Sequence, residues 1–251
     1  MSKLIPFALL TGALMMNVTA VAADLKLLAS TAVKTVLDEV IAPYEKTSGH
    51  RIDIVIGSSA AIMAKLKAGE TPDMVILTAE GIDELIAQGK VERASRSEIA
   101  KAGLGLAVKR GAAKPDIATV DAFKRTLLDA QSIVYTQSGA SGLYFAKLLE
   151  RLGIAEAMKP KAIVLKSGLA GDVVARGEAE LGVQMVSEIL AVPAAELVGP
   201  FPAEIQNNMV FTAGTLAGSA NAATARALAD YLRTPAVGTV FKAKGLEPAA
   251  P

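Results

Sequence analysis

The stretch IDIVIGSSAA, Ile52 to Ala61, contains a pattern that recurs along this chain. An apolar strand ends at a small Gly/Ser cluster, and the cluster leads directly into a helix. The pattern returns in LKLLAS at Leu25 to Ser30, followed by Thr31, and in IVYTQSGASG at Ile133 to Gly142. The first turn of a helix has unpaired N–H groups and positive partial charge, so hydroxyl groups placed there favour an anion. Because no junction pairs a nucleophile with an evident base, the pattern predicts binding of a small anion without catalysis.

Strands and helices alternate along the chain, which predicts an α/β fold. Such alternation is typical of a parallel sheet with right-handed crossovers, whose ligands lie beyond the carboxyl ends of the strands. We therefore expect all three junctions at that edge. The predicted strands are Leu25 to Ala29, Arg51 to Ile56, Met74 to Leu77, Leu104 to Lys109, Ser132 to Thr136, Ala162 to Lys166, Leu181 to Val186 and Asn208 to Ala213. The predicted helices are Val33 to Thr47, Ala60 to Ala68, Gly81 to Gln88, Val120 to Leu128, Gly142 to Leu152, Gly171 to Gly177 and Ala222 to Leu232.

Residues 1–23 have the pattern of a secretory signal peptide. Lys3 precedes a short apolar stretch, Leu4 to Met16, and small residues at Ala20 to Ala23 offer a cleavage site before Asp24. The stretch is too short to span a membrane, which needs about 20 apolar residues. A buried N-terminal helix is the alternative. We expect a cleaved leader and a mature protein that acts outside the cytoplasm.

Composition excludes several classes of function. The chain has no Cys and one His, which excludes disulfides, cysteine nucleophiles and the usual multi-histidine zinc sites. Its 26 basic and 25 acidic residues nearly balance, whereas nucleic-acid binding favours clustered basic surface. Aromatic residues make up 4% of the chain and Trp is absent, which disfavours a sugar-binding groove. We expect a monomer that binds no nucleic acid and needs no cofactor and no metal.

Several runs in order resemble the molybdate-binding type of bacterial periplasmic solute-binding protein. They are Ala29 to Ser59, LKAGETPDMVILTA at Leu66 to Ala79, SGASGLYFAKLLERLGI at Ser138 to Ile154, and ARGEAELGVQMVSEI at Ala175 to Ile189. The likeness spans essentially the whole mature chain.

The resemblance implies a two-lobed α/β fold of the type II periplasmic binding protein class, with a ligand cleft between the lobes and two crossing strands. Lobe 1 would comprise residues 24–103 together with the returning segment 203–251, and lobe 2 residues 104–202. The crossing segments would be Leu104 to Gly111 and Glu196 to Ile205.

The resemblance also implies a function and a set of site residues. The chain would be the periplasmic component of an ABC importer, delivering an oxyanion such as molybdate or tungstate to a membrane permease. The resemblance places Ser30, Ser59, Ser141, Ser167, Gly168 and Met185 at ligand-binding positions of the family. With their neighbours Thr31, Ser58, Gly142 and Gln184, these are the predicted ligand-binding residues. Met185 stands where the family has an oxyanion-binding tyrosine, and methionine has no donor to offer.

Two alternatives remain open. A small organic di- or tricarboxylate would explain the missing tyrosine and would use Lys166, with Gln137 and Gln184 nearby. A serine-dependent enzyme is a remote alternative, since Gly139 to Gly142 does not match Gly-x-Ser-x-Gly and the sole histidine, His50, lies in a turn away from the junctions. The serines also have a purely structural interpretation, because Ser commonly caps helices.

Overall fold

The computed structural model describes residues 23–249. The predicted signal peptide, residues 1–23, therefore lies outside the described residues except for Ala23. Within the described range, no helix combines the length and apolar character that crossing a membrane requires.

Residues 23–249 form two β-sheets with helices packed on them. The strands are β1 Asp24–Ser30, β2 Arg51–Gly57, β3 Met74–Thr78, β4 Ser97–Ala102, β5 Leu104–Lys109, β6 Ile133–Thr136, β7 Ala162–Leu165, β8 Leu181–Met185, β9 Ala195–Pro200, β10 Met209–Thr215 and β11 Glu247–Pro248. The α-helices are α1 Lys34–Ser48, α2 Ser59–Lys67, α3 Ala79–Ala87, α4 Val120–Asp129, α5 Ala140–Arg151, α6 Ala155–Met158, α7 Ala170–Ala175, α8 Val186–Leu190, α9 Ala222–Leu232 and α10 Pro235–Ala243. Short 3-10 helices cover Thr31–Val33, Arg93–Ser95, Lys159–Lys161 and Ala203–Ile205.

The first sheet has six strands in the order β11-β4-β10-β3-β1-β2. β1 pairs in parallel with β2 and β3, so that Ser30 lies opposite Gly57 at the carboxyl ends. This parallel part follows from the chain order β1, α1, β2, α2, β3, because each helix returns the chain to the starting edge of the sheet. β10 runs antiparallel to both β3 and β4.

The second sheet has five strands in the order β7-β6-β8-β5-β9. β6 is parallel to β7 and β8, whereas β5 is antiparallel to β8 and β9. The prediction of a parallel sheet therefore holds for three neighbouring strands in each sheet and is wrong for the remaining strands, which pair antiparallel. The strand before β5 and the strand before β10 each belong to the other sheet, so no crossover helix within one sheet leads into β5 or β10. Both strands are therefore free to run antiparallel to their neighbours.

The predicted strands and helices are confirmed with ends that differ by one or two residues. The predicted strands and helices did not include β4, β9 and β11, or α6, α8 and α10. The sequence of β4, SEIAKA, contains few of the β-branched and aromatic residues that mark strands. Its place in the sheet depends on pairing with β10, which is distant in sequence.

Helix α1 shows how the pattern produces the core. Its residues Val36, Leu37, Val40, Ile41 and Tyr44 recur at three-and-four spacing and are all buried. They pack in one cluster with residues of the six-stranded sheet and of α9 and α10. The buried stripe fixes which face of the helix meets the sheet.

The second sheet has a separate core built around aromatic rings. Phe123, Phe145 and Phe201 are buried, and the ring centroid of Phe201 lies 4.6 Å from that of Phe123 and 6.2 Å from that of Phe145. Phe201 directly follows β9, where the chain leaves this sheet. The ring contacts therefore anchor the exit of the chain from the second sheet.

The chain passes between the sheets twice, at Gly103 and through residues 201–208. The segments predicted as crossings, Leu104 to Gly111 and Glu196 to Ile205, largely form β5 and β9. These are neighbouring strands of the second sheet.

Gln206 links the two passages. Its Oε1 accepts a hydrogen bond from the backbone N–H of Leu104 at 2.8 Å, and its Nε2 donates to the carbonyl of Leu104 at 2.9 Å. Gln206, in the second passage, is thus hydrogen-bonded to Leu104, the residue that directly follows the first passage at Gly103. Leu104 is fully buried, and its N–H depends on this side chain, whereas its carbonyl also accepts a hydrogen bond from the N–H of Phe201 at 3.1 Å.

We expect Gln206→Leu to lower the free energy of unfolding by about 1 to 3 kcal/mol, because the buried backbone N–H of Leu104 loses its partner. Chemical denaturation measures the change. Gln88→Leu is the matched control, since the Gln88 amide bonds Glu84 on the exposed surface of α3 and its loss should cost no more than about 0.5 kcal/mol. Equal losses in the two variants would contradict a special role for Gln206.

The start of α5 packs directly against the end of β6. A Cβ placed on Gly142 would overlap the carbonyl oxygen of Thr136, which is backbone and cannot swing aside. Gly142 is therefore required by close packing of helix on strand. Gly81 has the same position in α3, third from the start, but a Cβ there would meet its nearest atom at an ordinary 3.5 Å.

We expect Gly142→Ala to destabilise the protein by about 1 to 3 kcal/mol or more, as overpacking does. Gly81→Ala should be neutral or should stabilise it by up to about 1 kcal/mol, because alanine favours a helix more than glycine does. Thermal melts of the two variants measure the difference. A loss of stability at Gly81 as large as that at Gly142 would refute the packing argument.

Candidate functional site

A cleft of about 340 Å³ lies where the carboxyl ends of strands from the two sheets face each other. The six-stranded sheet contributes the ends of β1 and β2, and the five-stranded sheet those of β6, β7 and β8. Nine of the ten residues predicted for the site line this cleft: Ser30, Thr31, Ser58, Ser59, Ser141, Ser167, Gly168, Gln184 and Met185. Gly142 does not, because it packs against Thr136 beneath the cleft wall.

At the first junction, Ser30 ends β1 and caps the 3-10 helix that follows. Its Oγ accepts a hydrogen bond from the backbone N–H of Ala32 at 3.4 Å, which is a long bond. Ser30 is buried, and Thr31 beside it is half-buried in the same wall. The capping interpretation and the cleft-lining interpretation therefore both describe Ser30.

At the second junction, Ser58 and Ser59 both line the cleft, and Ser58 also acts as a cap. Ser58 caps α2, since its Oγ accepts a hydrogen bond from the backbone N–H of Ala61 at 3.2 Å. Ser59 is the first residue of α2, and its Oγ accepts a bond from the N–H of Thr78 at 3.4 Å. Each hydroxyl acts as an acceptor here, which leaves its own proton available to an anion in the cleft.

The third junction opens α5 without a side-chain cap, because Gly139 holds the N-cap position. Ser141 is buried in the first turn and lines the cleft together with Ser138. Thr136, at the end of β6, also lines the cleft, and its Oγ1 has no hydrogen-bond partner among residues 23–249. Sequence analysis missed Thr136 as a lining residue, although its place at a strand end before the Ser/Gly cluster is a usable signal.

The end of β7 brings a cation to the cleft. Lys166 lines it next to Ser167 and Gly168, and no carboxylate of the described chain forms an ion pair with its side chain. Gly168 has a φ of 98°, a conformation that favours glycine. Gln137, which the carboxylate alternative also named, is exposed and does not line the cleft.

The end of β8 contributes Gln184 and Met185, both buried. The amide of Gln184 is committed to the wall itself, since its Oε1 accepts from the N–H of Ala170 at 2.7 Å. Met185 lines the cleft and also packs in the core of the six-stranded sheet. Met185 therefore presents an apolar surface to any ligand.

Sequence analysis also missed Glu188, in the first turn of α8. Its Oε2 accepts a hydrogen bond from the backbone N–H of Met185 at 3.3 Å, and its side chain lines the cleft. Burial raises the pKa of this carboxyl to about 7, against the lowering effect of hydrogen bonds from Met185 and Gln184. Glu188 and Lys166 are the charged residues among the twenty that line the cleft.

Comparison with known proteins yields relatives of two kinds. An aconitate isomerase of Pseudomonas sp. is 36% identical over 230 residues, covering 89% of this chain and 87% of the relative. The molybdate-binding protein ModA of Escherichia coli is 23% identical over 225 residues, covering 86% of each chain. The resemblance to molybdate-binding proteins predicted from the sequence is confirmed.

Solved structures show the same architecture. The periplasmic molybdate-binding protein of Azotobacter vinelandii matches with a TM-score of 0.73 at 23% identity, over 90% of this chain and 99% of that chain. The substrate-binding domain of a putative molybdenum ABC transporter from Clostridium difficile matches with a TM-score of 0.71 over 91% of this chain and all of that one, at 15% identity. The predicted two-lobed type II fold is thus confirmed. A family profile described as bacterial extracellular solute-binding protein matches residues 25–247, and the chain belongs to that family.

Proposed function

We propose that this protein is the periplasmic solute-binding component of an ABC importer, which captures a small anion in its cleft and delivers it to a membrane permease. Family membership and the hydroxyl-lined junctions support this function. Hydroxyl groups and the N-terminal ends of α2 and α5 stabilise an anion with oriented dipoles, without a large net positive charge. We expect the protein to act as a monomer.

We propose further that the lobes are residues 24–103 with 203–251, and residues 104–202. These boundaries fall at the two passages between the sheets. A ligand that touches strand ends of both sheets favours their approach, and the passages would absorb the change in backbone dihedrals.

The ligand that the cleft favours is a small multi-carboxylate of the aconitate class. One observation carries this choice: the cleft is lined both by the hydroxyl-rich junctions and by Lys166, which forms no ion pair within the described chain. A ligand with several carboxylates can reach both regions at once, whereas a tetrahedral oxyanion needs one compact ring of donors. The apolar Met185 breaks such a ring. The relative at 36% identity, an aconitate isomerase, supports the same choice.

Molybdate or tungstate remains the alternative ligand. The lining is dominated by neutral donors, and several structural neighbours are named for these ions. A ligand panel separates the two classes directly.

Isomerisation of a bound tricarboxylate is a second candidate function. The sequence analysis predicted binding without catalysis. Two observations favour catalysis: the similarity to an aconitate isomerase, and a carboxyl group, Glu188, within the cleft.

We expect Ser30→Ala and Ser59→Ala each to weaken anion binding about 5- to 150-fold, because one ligand oxygen loses its donor at a cost of about 1 to 3 kcal/mol. Calorimetry with cis-aconitate, citrate, molybdate, tungstate and sulfate measures the change. Ser132→Ala is the matched control, since the Ser132 hydroxyl lies outside the cleft and accepts a hydrogen bond from the backbone N–H of Glu180. Unchanged affinity in both cleft variants would place the site elsewhere.

We expect Lys166→Met to weaken binding of cis-aconitate at least tenfold and to leave molybdate affinity nearly unchanged, because a charge-assisted contact contributes about 1.5 to 3 kcal/mol. Lys147→Met, on the exposed face of α5 and outside the cleft, is the control. Tight molybdate binding by the wild type, with no binding of any carboxylate, would reject the multi-carboxylate ligand and support the oxyanion.

A further inference from the structure

Glu188 is placed unexpectedly for a cleft that binds anions. Its carboxylate lines the same 340 Å³ cleft as the serine hydroxyls and Lys166. A negative charge beside an anionic ligand weakens binding, so a cleft that served only for capture would be better with a neutral residue here. Closing the first turn of α8 does not require a carboxylate either, because the amide oxygen of glutamine can accept the same bond from Met185.

The position of Glu188 is well defined. Its Oε2 is held by the N–H of Met185, and the side chain stands on a short helix directly after the end of β8. Because burial raises the pKa of Glu188 to about 7, the group exchanges between its acid and base forms near neutral pH. A carboxyl that can both accept and return a proton at a fixed place in a ligand cleft has the properties of a general acid–base.

We propose that Glu188 is the catalytic proton carrier for an allylic isomerisation of an unsaturated tricarboxylate bound in this cleft. The inference rests on the proposed ligand class and adds the group that carries the chemistry. The Glu188 carboxylate removes a proton from the methylene carbon next to the double bond and returns it to the far vinyl carbon.

The step balances without any other reactant. The C–H bond at the methylene carbon breaks, and its electron pair forms the new double bond to the central carbon. The electrons of the old double bond form a C–H bond at the former vinyl carbon with the proton that Glu188 carries. Nothing is oxidised or reduced, and Glu188 ends as the carboxylate it was at the start.

The rest of the cleft suits the charge that develops. Negative charge spreads from the allylic carbons onto the attached carboxylates during the transfer. Lys166 and the hydroxyls of Ser30 and Ser59 lie in the cleft where ligand carboxylates would bind, and such donors stabilise growing charge on oxygen. The binding residues of the proposed function thus also stabilise the transition state.

The test uses the full mature protein with cis-aconitate in deuterated water, followed by proton NMR. We expect the wild type to form trans-aconitate and to place solvent deuterium on the allylic carbons. Glu188→Gln should lower kcat at least 100-fold, the lower range for loss of a general acid–base, with the Kd for cis-aconitate changed by less than tenfold. Glu150→Gln, exposed on α5 and outside the cleft, should retain wild-type kcat.

A pH profile gives a second readout. Since the carboxylate form starts the reaction, kcat/KM of the wild type should fall as pH drops below about 7, where the free enzyme carries protonated Glu188. Lys166 is the other titratable side chain lining the cleft within the described chain. Glu188→Asp keeps a carboxylate and should retain measurable turnover with the same direction of pH dependence.

The outcomes separate the two proposals. Binding of cis-aconitate without isomerisation or deuterium uptake by the wild type would overturn the catalytic role and leave the binding function intact. Absence of aconitate binding would overturn the ligand class and this inference with it. Wild-type turnover in Glu188→Gln would overturn the assignment of Glu188. If Glu188→Gln does not fold, the deuterium experiment on the wild type and the pH profiles of the wild type and Glu188→Asp still test the role of Glu188. Turnover without pH dependence near 7 in either protein would reject that role.

Discussion

The structure depends on one electrostatic constraint: an anion removed from water needs oriented hydrogen-bond donors on every side. Parallel strands that lead into helices place such donors at the carboxyl edge of a sheet, because each helix starts there with unpaired N–H groups. Here two sheets turn these edges toward each other, so that Ser30 and Ser59 from one face Ser141 from the other. In each sheet the antiparallel strands continue from one side of the three parallel strands, through β10 beside β3 and through β5 beside β8.

Two side chains of opposite charge, Lys166 and Glu188, line the cleft. Lys166 attracts an anion and Glu188 repels one, yet both line the same cavity. Burial raises the pKa of Glu188 to about 7, so that near neutral pH the carboxylate and the neutral acid are both populated. The neutral acid can donate a hydrogen bond to an anion, whereas the carboxylate is the form that can accept a proton. The protonation state of this one side chain therefore sets the charge that the lining of the cleft presents to a ligand.

The sequence predicted the parts of the fold that local patterns encode. Apolar runs that end in Gly/Ser clusters identify the strand ends, and nine of ten predicted residues line the cleft. It did not reveal β4, whose strand conformation depends on β10, or the antiparallel direction of β5. Glu188 was missed because a glutamate in the first turn of a helix is ordinarily a capping residue, and only tertiary packing turns it toward the cavity. Gly142 is the opposite case, because it was predicted to bind the ligand but instead allows α5 to pack closely against Thr136.

The position of β10 inside the first sheet, between β3 and β4, has a consequence for how the chain acquires its structure. The six-stranded sheet cannot close until Met209–Thr215 has been synthesised, after every strand of the second sheet. Contacts of such long sequence separation form slowly, because the loop that joins them must be ordered first. An incomplete chain that ends before Met209 therefore lacks a central strand of its first sheet, so this sheet is completed only late in synthesis.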